Sequence, residues 1–502
     1  MAFRLICFLC LSISSTALLG QNSQDVLRYS LLDISGSARV QALGGAFNAL
    51  GGDVSSLGLN PAASAVLLSS TSSFGFGLNT QNNTQSYFGT KINNQDHHFG
   101  LIHAGGVIVT ENTVTSSPWR KFSLGFNVNR QNNMTEDFFS SGQSSNTLGL
   151  FFQEQAQGIP LSDLQLYPGE TISSAYSYLG ETQGTRAQNA FLGYQGYLID
   201  PVSDDATNTS YVPTLEASNV QHEVAAYNHG DMRKYSLNFS AQYGQNLFLG
   251  INFNSHDLKF RSQSQVRELA LNNSSRSLYF ENNLGVIGEG LSIQLGGIFA
   301  WRKHWRISAT YDTPTWWNIA EESTQYLQTT RRVNGENVVT TLNPDVVNIY
   351  DTYQMKTPGK IATGLAYIFD KSGLISLEYG QKNYSKAALG PKTYDYYTEV
   401  NEDIKREFRN AQFVKIGGEY RWNVWRLRGG FWHEESPLVN DKNTGPFSGK
   451  SIGIGYTYRS LALDMSYIST QRNANQTLFV PQNQIQRQEV NNLLMCSLSL
   501  SL

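Results

Sequence analysis

The amino-acid sequence predicts an all-β fold, a transmembrane antiparallel β-barrel of about 14 strands with a small N-terminal plug, or hatch, inside it. Three observations support this prediction. From Ser72 to Leu502 the chain is a succession of segments in which apolar residues alternate with polar or small ones, as in strands that face lipid on one side. The connections alternate between long and short, as outer loops and periplasmic turns do. Charged residues make up only 15% of the chain, against about 25% in soluble domains.

Residues 1–20 are predicted to be a signal peptide. Arg4 supplies a positive start, and residues 5–19 form a short core of apolar and small residues, which is the pattern of a secretory signal. Gln21 is then the first mature residue, and residues 15–17 offer a competing cleavage site. The alternative is a membrane anchor, which the shortness of the apolar core disfavours.

Residues 21–68 are predicted to form the plug. Its glycines permit left-handed turns and a close approach of the backbone to neighbouring strands. They include Gly44, Gly45, Gly51, Gly52 and Gly58. The segment ends in Asn60-Pro61-Ala62, where proline restricts the backbone of two residues. Asp53 is expected to pair with a cationic side chain of the barrel interior, because an unpaired buried carboxylate is costly. A solvated loop charge or a local cap is the alternative for Asp53.

Residues 69–502 are predicted to form the barrel. The clearest hairpin joins residues 235–243 to residues 247–253 and places apolar side chains on one face and Ser, Asn and Gln on the other. Because both termini then lie on the periplasmic side, the plug belongs at the inner mouth. Tryptophans and tyrosines near the short turns predict an interfacial girdle. The predicted long extracellular loops are residues 131–231, 257–290, 312–360 and 382–411.

No catalytic or metal-binding pattern stands out in the sequence. His222 and His229 miss the one-turn spacing of a helical zinc site. Cys7 and Cys10 leave with the signal peptide, so Cys496 has no partner for an intrachain disulfide. The net charge of −3 is too small to indicate nucleic-acid binding. We therefore predict a protein that is not an enzyme, with no cofactor, no metal and no nucleic-acid partner.

The plug region resembles the FadL family of outer-membrane transporters for hydrophobic compounds, in the OmpP1-like form of the Bacteroidetes. The resemblance depends on Gly44-Gly45-Ala46, Asp53, Ser55-Ser56 and Asn60-Pro61-Ala62. It extends more loosely into the barrel, through Thr357-Pro358-Gly359-Lys360 and Lys415-Ile416-Gly417-Gly418-Glu419-Tyr420-Arg421. One departure is the last residue, Leu502, where many outer-membrane barrels end in an aromatic residue.

The resemblance implies passive uptake of long-chain fatty acids or aromatic hydrocarbons across the outer membrane of a Gram-negative cell. It implies capture by apolar outer loops, transfer into the barrel and lateral exit near a deformed third strand, with the plug adjusting to open the route. The expected partners are hydrophobic small molecules, outer-membrane lipid and lipopolysaccharide, and the barrel assembly machinery, and the expected state is a monomer. The alternative function is a structural or adhesive barrel whose long loops bind surface partners.

The same resemblance suggests roles for individual residues. A gating or positioning role in the plug falls on Gly44, Gly45, Asp53, Asn60, Pro61 and Ala62. Gly125 is the candidate for the third-strand kink, since a glycine inside a strand often marks a bend. The apolar residues of the longest loop are candidates for substrate capture, and the alternative is that they form the core of that loop. They are Leu148, Leu150, Phe151, Phe152, Phe191, Leu192 and Tyr194.

Overall fold

The computed structural model describes residues 22–215, 219–271, 276–478 and 480–502. The predicted signal peptide lies outside these residues. The helices are α1 (Ser23–Ser30), α2 (Ala38–Ala42), α3 (Gly149–Ala156), α4 (Leu161–Leu164), α5 (Ile172–Gln183), α6 (Thr185–Gln195) and α7 (Asp395–Glu407), with 3-10 helices at Val54–Gly58, Pro61–Val66 and Tyr384–Lys386.

The strands begin with β1 (Thr71–Tyr87), β2 (Thr90–Glu111), β3 (Trp119–Asn133), β4 (Glu136–Ser144), β5 (Ile199–Pro201), β6 (Tyr211–Pro213), β7 (Val220–Tyr243), β8 (Leu247–Ala270), β9 (Ser277–Trp301), β10 (Trp305–Asp312) and β11 (Trp316–Val333). They continue with β12 (Glu336–Leu342), β13 (Asn348–Ile349), β14 (Tyr353–Lys356), β15 (Lys360–Phe369), β16 (Gly373–Asn383), β17 (Ala388–Gly390), β18 (Asn410–Trp422), β19 (Trp425–Glu434), β20 (Phe447–Tyr458), β21 (Leu461–Leu478) and β22 (Val480–Ser501).

The sheet closes on itself as an antiparallel barrel. The last strand, β22, pairs with β1 from Thr71↔Ser501 to Tyr87↔Ile485. Twenty strand segments belong to the sheet in the described part of the chain. Four wall strands are each broken into two segments (β3/β4, β10/β11, β14/β15 and β16/β17), and β12 and β13 flank the wall, so 20 − 4 − 2 leaves 14 wall strands. The predicted fold class is confirmed.

Near the short turns, the wall is apolar outside and polar inside. On β7, Leu237 and Phe239 point outward and are exposed, while Ser236 and Asn238 point inward and are buried. This arrangement suits a barrel in a bilayer, because lipid contacts the outer face while polar groups bond to one another inside. The predicted hairpin is confirmed, since β7 and β8 pair from Tyr243↔Leu247 upward.

Further along the same strands the polarity of the two faces reverses. On β8 the outward side chains change from Phe253 to Lys259, while the inward ones change from Asn252 to Leu258 and Phe260. On β8, lipid therefore contacts the outer face up to about Phe253, and beyond this residue the outer face of the strand is exposed to water. The strands rise well above the bilayer.

This reversal explains why one predicted loop is wrong in its bounds. Residues 257–290 were expected to form a long loop, but β8 continues to Ala270 and β9 begins at Ser277. The strand prediction depended on apolar residues facing outward, and that pattern ends where the strands leave the bilayer.

The other three predicted loops contain ordered elements. The predicted bounds 131–231 are also wrong, because β3 ends at Asn133 and β7 begins at Val220. Between them lie β4 and a helical cap, which we define as residues 145–215 with helices α3 to α6. Residues 312–360 contain β11 to β14, and residues 382–411 contain β17 and α7. At the opposite end of the barrel, Trp301 pairs with Trp305 and Trp422 pairs with Trp425 beside their short turns, and all four are exposed, as the girdle prediction requires.

Candidate functional site: the plug in the barrel lumen

Residues 22–68, which we call the plug, lie inside the barrel. Most of their side chains are buried. Polar side chains of the wall donate hydrogen bonds to plug carbonyls, with Lys234 Nζ 2.7 Å from Gly58 O, Asn252 Nδ2 2.8 Å from Leu57 O, and Gln294 Nε2 2.9 Å from Leu59 O. These bonds satisfy backbone groups of the irregular segment that could not bond within it. The polar inner face of β7, β8 and β9 therefore holds the plug.

Glycines allow the plug and the wall to meet backbone to backbone. Gly44 and Gly45 follow α2 with φ of +64° and +70°, which is the left-handed region that favours glycine. Opposite them, a Cβ on Gly430 would overlap the nitrogen of Gly44, and one on Gly417 would overlap the carbonyl of Leu43. Contact at this distance requires glycine on both surfaces. The gating role of Gly44 and Gly45 stays a prediction.

Asp53 caps a helix and makes no ion pair within 4 Å in the described chain. Its carboxylate accepts hydrogen bonds from Ser55 N (2.9 Å), Ser55 Oγ (2.7 Å) and Ser37 Oγ (2.8 Å). It thereby begins the 3-10 helix Val54–Gly58 and ties it to the start of α2. Of the two interpretations offered by the sequence, the structure favours the local cap over direct pairing with the barrel.

Asn60 and Pro61 fix the second 3-10 helix against the wall. The Asn60 side chain accepts from Ala62 N at 3.0 Å and donates to Asn48 O at 2.8 Å. Pro61 is the first residue of that helix, where its lack of an N–H costs nothing. A Cβ on Gly296 would overlap the Asn60 side chain. These contacts support a positioning role for Asn60-Pro61-Ala62.

An ion cluster links the plug to the opposite wall. Arg39 of α2 lies with Nε 3.4 Å from Glu419 Oε2, and it donates to Gly52 O at 3.2 Å. Glu419 also binds Arg428 and Arg421, each at 2.7 Å, and Arg428 binds Asp464 at 2.6 Å. Burial by itself lowers the pKa of the Arg39 guanidinium, but the nearby carboxylates, Glu419 foremost, outweigh it and raise that pKa.

The sequence analysis missed this cluster, although a signal was present. Arg39 and Asp53 are the charged residues of the stretch 36–63. A lone cation in a small-sided, buried segment implies a carboxylate partner, because an unpaired buried charge is costly. The sequence does not indicate which carboxylate that is.

The candidate capture residues form the core of the helical cap. Leu148, Phe151, Phe152, Phe191 and Leu192 are fully buried and pack with inward-facing residues of the wall strands above the bilayer. Leu150 and Tyr194 pack against the same cluster and are partly buried. The structure therefore matches the alternative interpretation, in which these residues hold the loop together. A role in capture stays a prediction.

A buried polar chain attaches the cap to the wall. Tyr87 Oη lies 2.8 Å from His222 Nδ1, and His222 Nε2 lies 2.8 Å from Glu268 Oε2. The backbone N–H of Leu148, at the start of α3, donates to the same Glu268 oxygen at 2.6 Å. Three wall strands and one cap helix thus share a single hydrogen-bond chain.

The ladder between β2 and β3 covers only part of both strands. Pairing runs from Glu111↔Lys121 to His103↔Asn129 and ends there. Beyond His103, β2 remains paired with β1 down to Thr90. The wall is joined again near Asn94, whose side chain bonds the backbone of Phe139 on β4. Between these points, in the described chain, β2 and β3 have no ladder bonds to each other.

Gly125 does not mark an irregularity in this strand. It pairs in regular register with Val107, and its Cα faces Leu57 of the plug. The register shifts of β3 against β7 lie between Trp119 and Lys121 and between Arg130 and Asn132. The irregularities of β3 therefore lie near its two ends, whereas the predicted kink at Gly125 would lie in its middle.

Two other kinds of site are absent from the described residues. No group of three or more His, Cys, Asp or Glu side chains that could hold a metal ion occurs among the residues described. Within the same residues, no helix is both long enough and apolar enough to span a membrane.

Comparison with known proteins identifies the fold. No family model and no curated protein matches the chain. The solved structure of the toluene transporter TodX from Pseudomonas putida aligns at 12% identity with a TM-score of 0.52, over 94% of this chain and 99% of that one. A Pseudomonas aeruginosa FadL homologue aligns at 10% identity with a TM-score of 0.54, over the same shares. The chain has a FadL-type fold. At such low identity the likeness establishes the architecture alone.

The FadL-type fold covers nearly the whole chain. In both comparisons the alignment covers 94% of this chain and 99% of the other. The plug and the helical cap both bond to the barrel wall that contains the interrupted ladder.

Proposed function

We propose that the protein is an outer-membrane transport protein that mediates passive uptake of hydrophobic compounds through its plugged barrel. The observation behind this proposal is a FadL-type barrel whose lumen is filled by a hydrogen-bonded plug. Solved structures with this fold include one that is named a toluene transporter and one that is named a FadL homologue. Long-chain fatty acids and aromatic hydrocarbons are accordingly the proposed substrate classes.

The arrangement of the plug argues against a plain water-filled pore. Wall side chains bond the plug on the β7, β8 and β9 side, and the ion cluster holds it on the β18, β19 and β21 side. A solute must therefore displace the plug or leave through the wall. The interval between His103 and Asn94, where β2 and β3 share no ladder bonds, supports lateral exit into the membrane. Such an exit delivers an apolar solute to lipid without crossing water.

The first test is uptake of a panel of labelled solutes by a deletion strain and by the same strain complemented with this gene. The panel contains a long-chain fatty acid and a monoaromatic hydrocarbon, with a hydrophilic sugar as the porin control. Restored uptake of an apolar solute with unchanged sugar uptake supports the proposal. Unchanged uptake across the panel contradicts it and favours the structural or adhesive barrel.

A second test asks whether the plug moves. Ser64 Oγ of the plug lies 2.7 Å from Ser240 Oγ on β7, so a Ser64→Cys/Ser240→Cys pair in a Cys496→Ser background can form a disulfide. The matched control is Ser73→Cys/Ser499→Cys, which joins two wall strands whose hydroxyl oxygens are 2.8 Å apart. We expect oxidation to stop uptake in the first pair only and reductant to restore it. Full uptake through the oxidised first pair would show that the plug need not leave β7.

A third test concerns the lateral exit. A Cβ on Gly100 would lie 3.6 Å from Arg130 Nη1 of β3, within the interval that lacks ladder bonds. Gly100→Trp therefore places a large side chain there, whereas Gly429→Trp adds the same ring on β19, where the nearest atom is 3.8 Å from the added Cβ. Slower uptake in Gly100→Trp alone supports lateral exit, and equal uptake in both variants contradicts it.

A further inference from the structure

The outer face of the wall above the bilayer contains a cavity of about 960 Å³. It lies on β8, β9 and β11, and the segment 343–347 borders it. Its volume is in the range of about 300–1,000 Å³ that is usual for ligand sites. This cavity lies outside the barrel, so the transport route described above does not use it.

The position of the cavity relative to the membrane follows from the strand geometry. Gln265, which lines it, is 12 residues beyond Phe253, where the lipid-facing pattern of β8 ends. At about 3.3 Å per residue this is about 40 Å along the strand, or roughly 28 Å in height for a tilt of about 45°. Lipid headgroups extend only about 5–8 Å beyond the hydrocarbon. The cavity is therefore above the headgroups.

Strand register brings polar side chains together on one side of this cavity, which we call its floor. Gln265, Glu281 and Tyr326 lie directly opposite one another on the three adjacent strands, so their side chains share one face. Glu281 stands at the centre. Its carboxylate accepts from Gln265 Nε2 (3.3 Å), Asn283 Nδ2 (2.9 Å) and Tyr279 Oη (2.6 Å).

Two aromatic rings border the same floor. The rings of Tyr279 and Tyr326 meet edge to face with centroids 6.0 Å apart. Arg267 lies over the Tyr279 ring with 6.0 Å to the centroid, and Gln328 donates to the Tyr326 hydroxyl at 3.3 Å. Both tyrosines are half-buried and oriented by these contacts, and both line the cavity beside Glu281.

We propose that this cavity binds a neutral oligosaccharide. Sugars present apolar C–H faces that pack on aromatic rings and hydroxyl groups that bond carboxylate, amide and phenol groups, and the floor supplies each of these. The charged side chains in the lining are Arg267, Glu281 and Asp345. Their sum is −1 with both carboxylates ionised, which disfavours an acidic glycan. The predominance of polar groups in the lining equally disfavours the hydrophobic compounds proposed for transport.

The test is a binding measurement on the full-length protein in detergent, freed of lipopolysaccharide. The probes are maltohexaose, laminarihexaose, the lipid-free O-polysaccharide of the producing strain and, as the acidic probe, dextran sulphate. Binding of a soluble hexasaccharide assigns the site to glycans of the surroundings. Binding of the O-polysaccharide alone assigns it to the glycan of the cell's own surface. Either result supports the proposal, whereas binding of dextran sulphate alone, or no binding by about 10 mM, overturns it.

Variants locate the binding. Tyr326→Ala removes a ring, and Glu281→Gln keeps the side-chain volume but removes the charge. Each is expected to weaken binding about tenfold or more. The matched control is Tyr227→Ala, an exposed tyrosine on the outer face of β7 that does not line the cavity. Equal affinity in all three variants overturns the assignment of the site. The mobility of the unheated barrel in SDS confirms folding, and unchanged uptake of apolar solutes separates this site from the transport route.

Discussion

The ion cluster between the plug and the wall predicts how firmly the plug is held. In Glu419→Gln the plug's Arg39 loses its carboxylate partner at 3.4 Å, while Arg428 keeps Asp464 at 2.6 Å. Glu419 is 1% exposed and the Arg39 side chain 20% exposed, so solvent screens their interaction little. The substitution leaves Arg39 facing the two wall arginines with less compensating charge.

The size of the effect follows from which contacts cross between plug and wall. Breaking a buried ion pair costs about 3–5 kcal/mol, but Arg421 and Arg428 belong to the wall, and their bonds to Glu419 exist whether or not the plug is docked. Among the bonds to Glu419, the one from Arg39 joins the plug to the wall. A charge-assisted bond contributes about 1.5–3 kcal/mol, and the 3.4 Å length of this one places its contribution near the lower end. A loss of about 2 kcal/mol raises the population of the undocked plug about 30-fold.

Hydrogen exchange measured by mass spectrometry on peptides covering residues 38–50 tests this value. In these residues the amide of Gly44 donates to Gln41 O at 2.9 Å and to the wall hydroxyl Ser451 Oγ at 3.1 Å, and the amide of Gly45 donates to Val40 O at 3.1 Å. We expect both amides to exchange about 30-fold faster. The control is Glu434→Gln, which breaks the wall pair with Lys382 at 2.9 Å. A change below about threefold in Glu419→Gln, or an equal change in the control, would refute the reasoning.

Three further predictions concern the wall, the cap and the bilayer boundary. Gly430→Ala places a Cβ against the plug nitrogen of Gly44 and is expected to displace the plug and raise permeability to antibiotics, whereas Gly429→Ala, with 3.8 Å of clearance, should not. His222→Ala leaves Glu268 and Tyr87 without their shared partner and should cost the cap about 2–4 kcal/mol; limited proteolysis would then cut residues 145–215 while the wall stays intact. Leu249→Arg, on the outer face of β8 between the short turn and Phe253, should lower the free energy of unfolding in lipid by about 2–4 kcal/mol, and Tyr227→Arg, above the bilayer, by less than about 1 kcal/mol; equal effects would contradict the boundary placed near Phe253.

Local patterns in the sequence were enough to predict the wall near the short turns. The alternation of Leu237 and Phe239 with Ser236 and Asn238 determines which face meets lipid, because side chains on a strand alternate strictly. The same rule failed at residues 257–290. There the side chains still alternate, but the polar ones face outward and the apolar ones face inward. A strand prediction that expects apolar residues on the outer face therefore assigns such a segment to a loop.

The candidate site was predictable in part. The glycine-rich, small-sided stretch with Asn60-Pro61 indicated an irregular segment packed close to other backbone, and the contacts of Gly44 with β19 follow from that composition. The capture residues were chosen because they are apolar and lie in a loop. Apolar side chains in a long loop also serve as its core, and the burial of Phe152 and Phe191 favours that second interpretation.

By itself, the sequence determined that this protein consists of barrel strands with a lipid-facing band and an N-terminal segment able to fit inside a barrel, because each of these properties depends on residues a few positions apart. The tertiary structure decided which residues are in contact. Arg39 and Glu419 are separated by 380 residues in the chain, and Tyr87, His222 and Glu268 come from three different strands. The period-two alternation in the sequence determines which face of the sheet each side chain occupies. The residues that a side chain contacts on neighbouring strands depend on strand order, register and closure, which only the folded barrel defines.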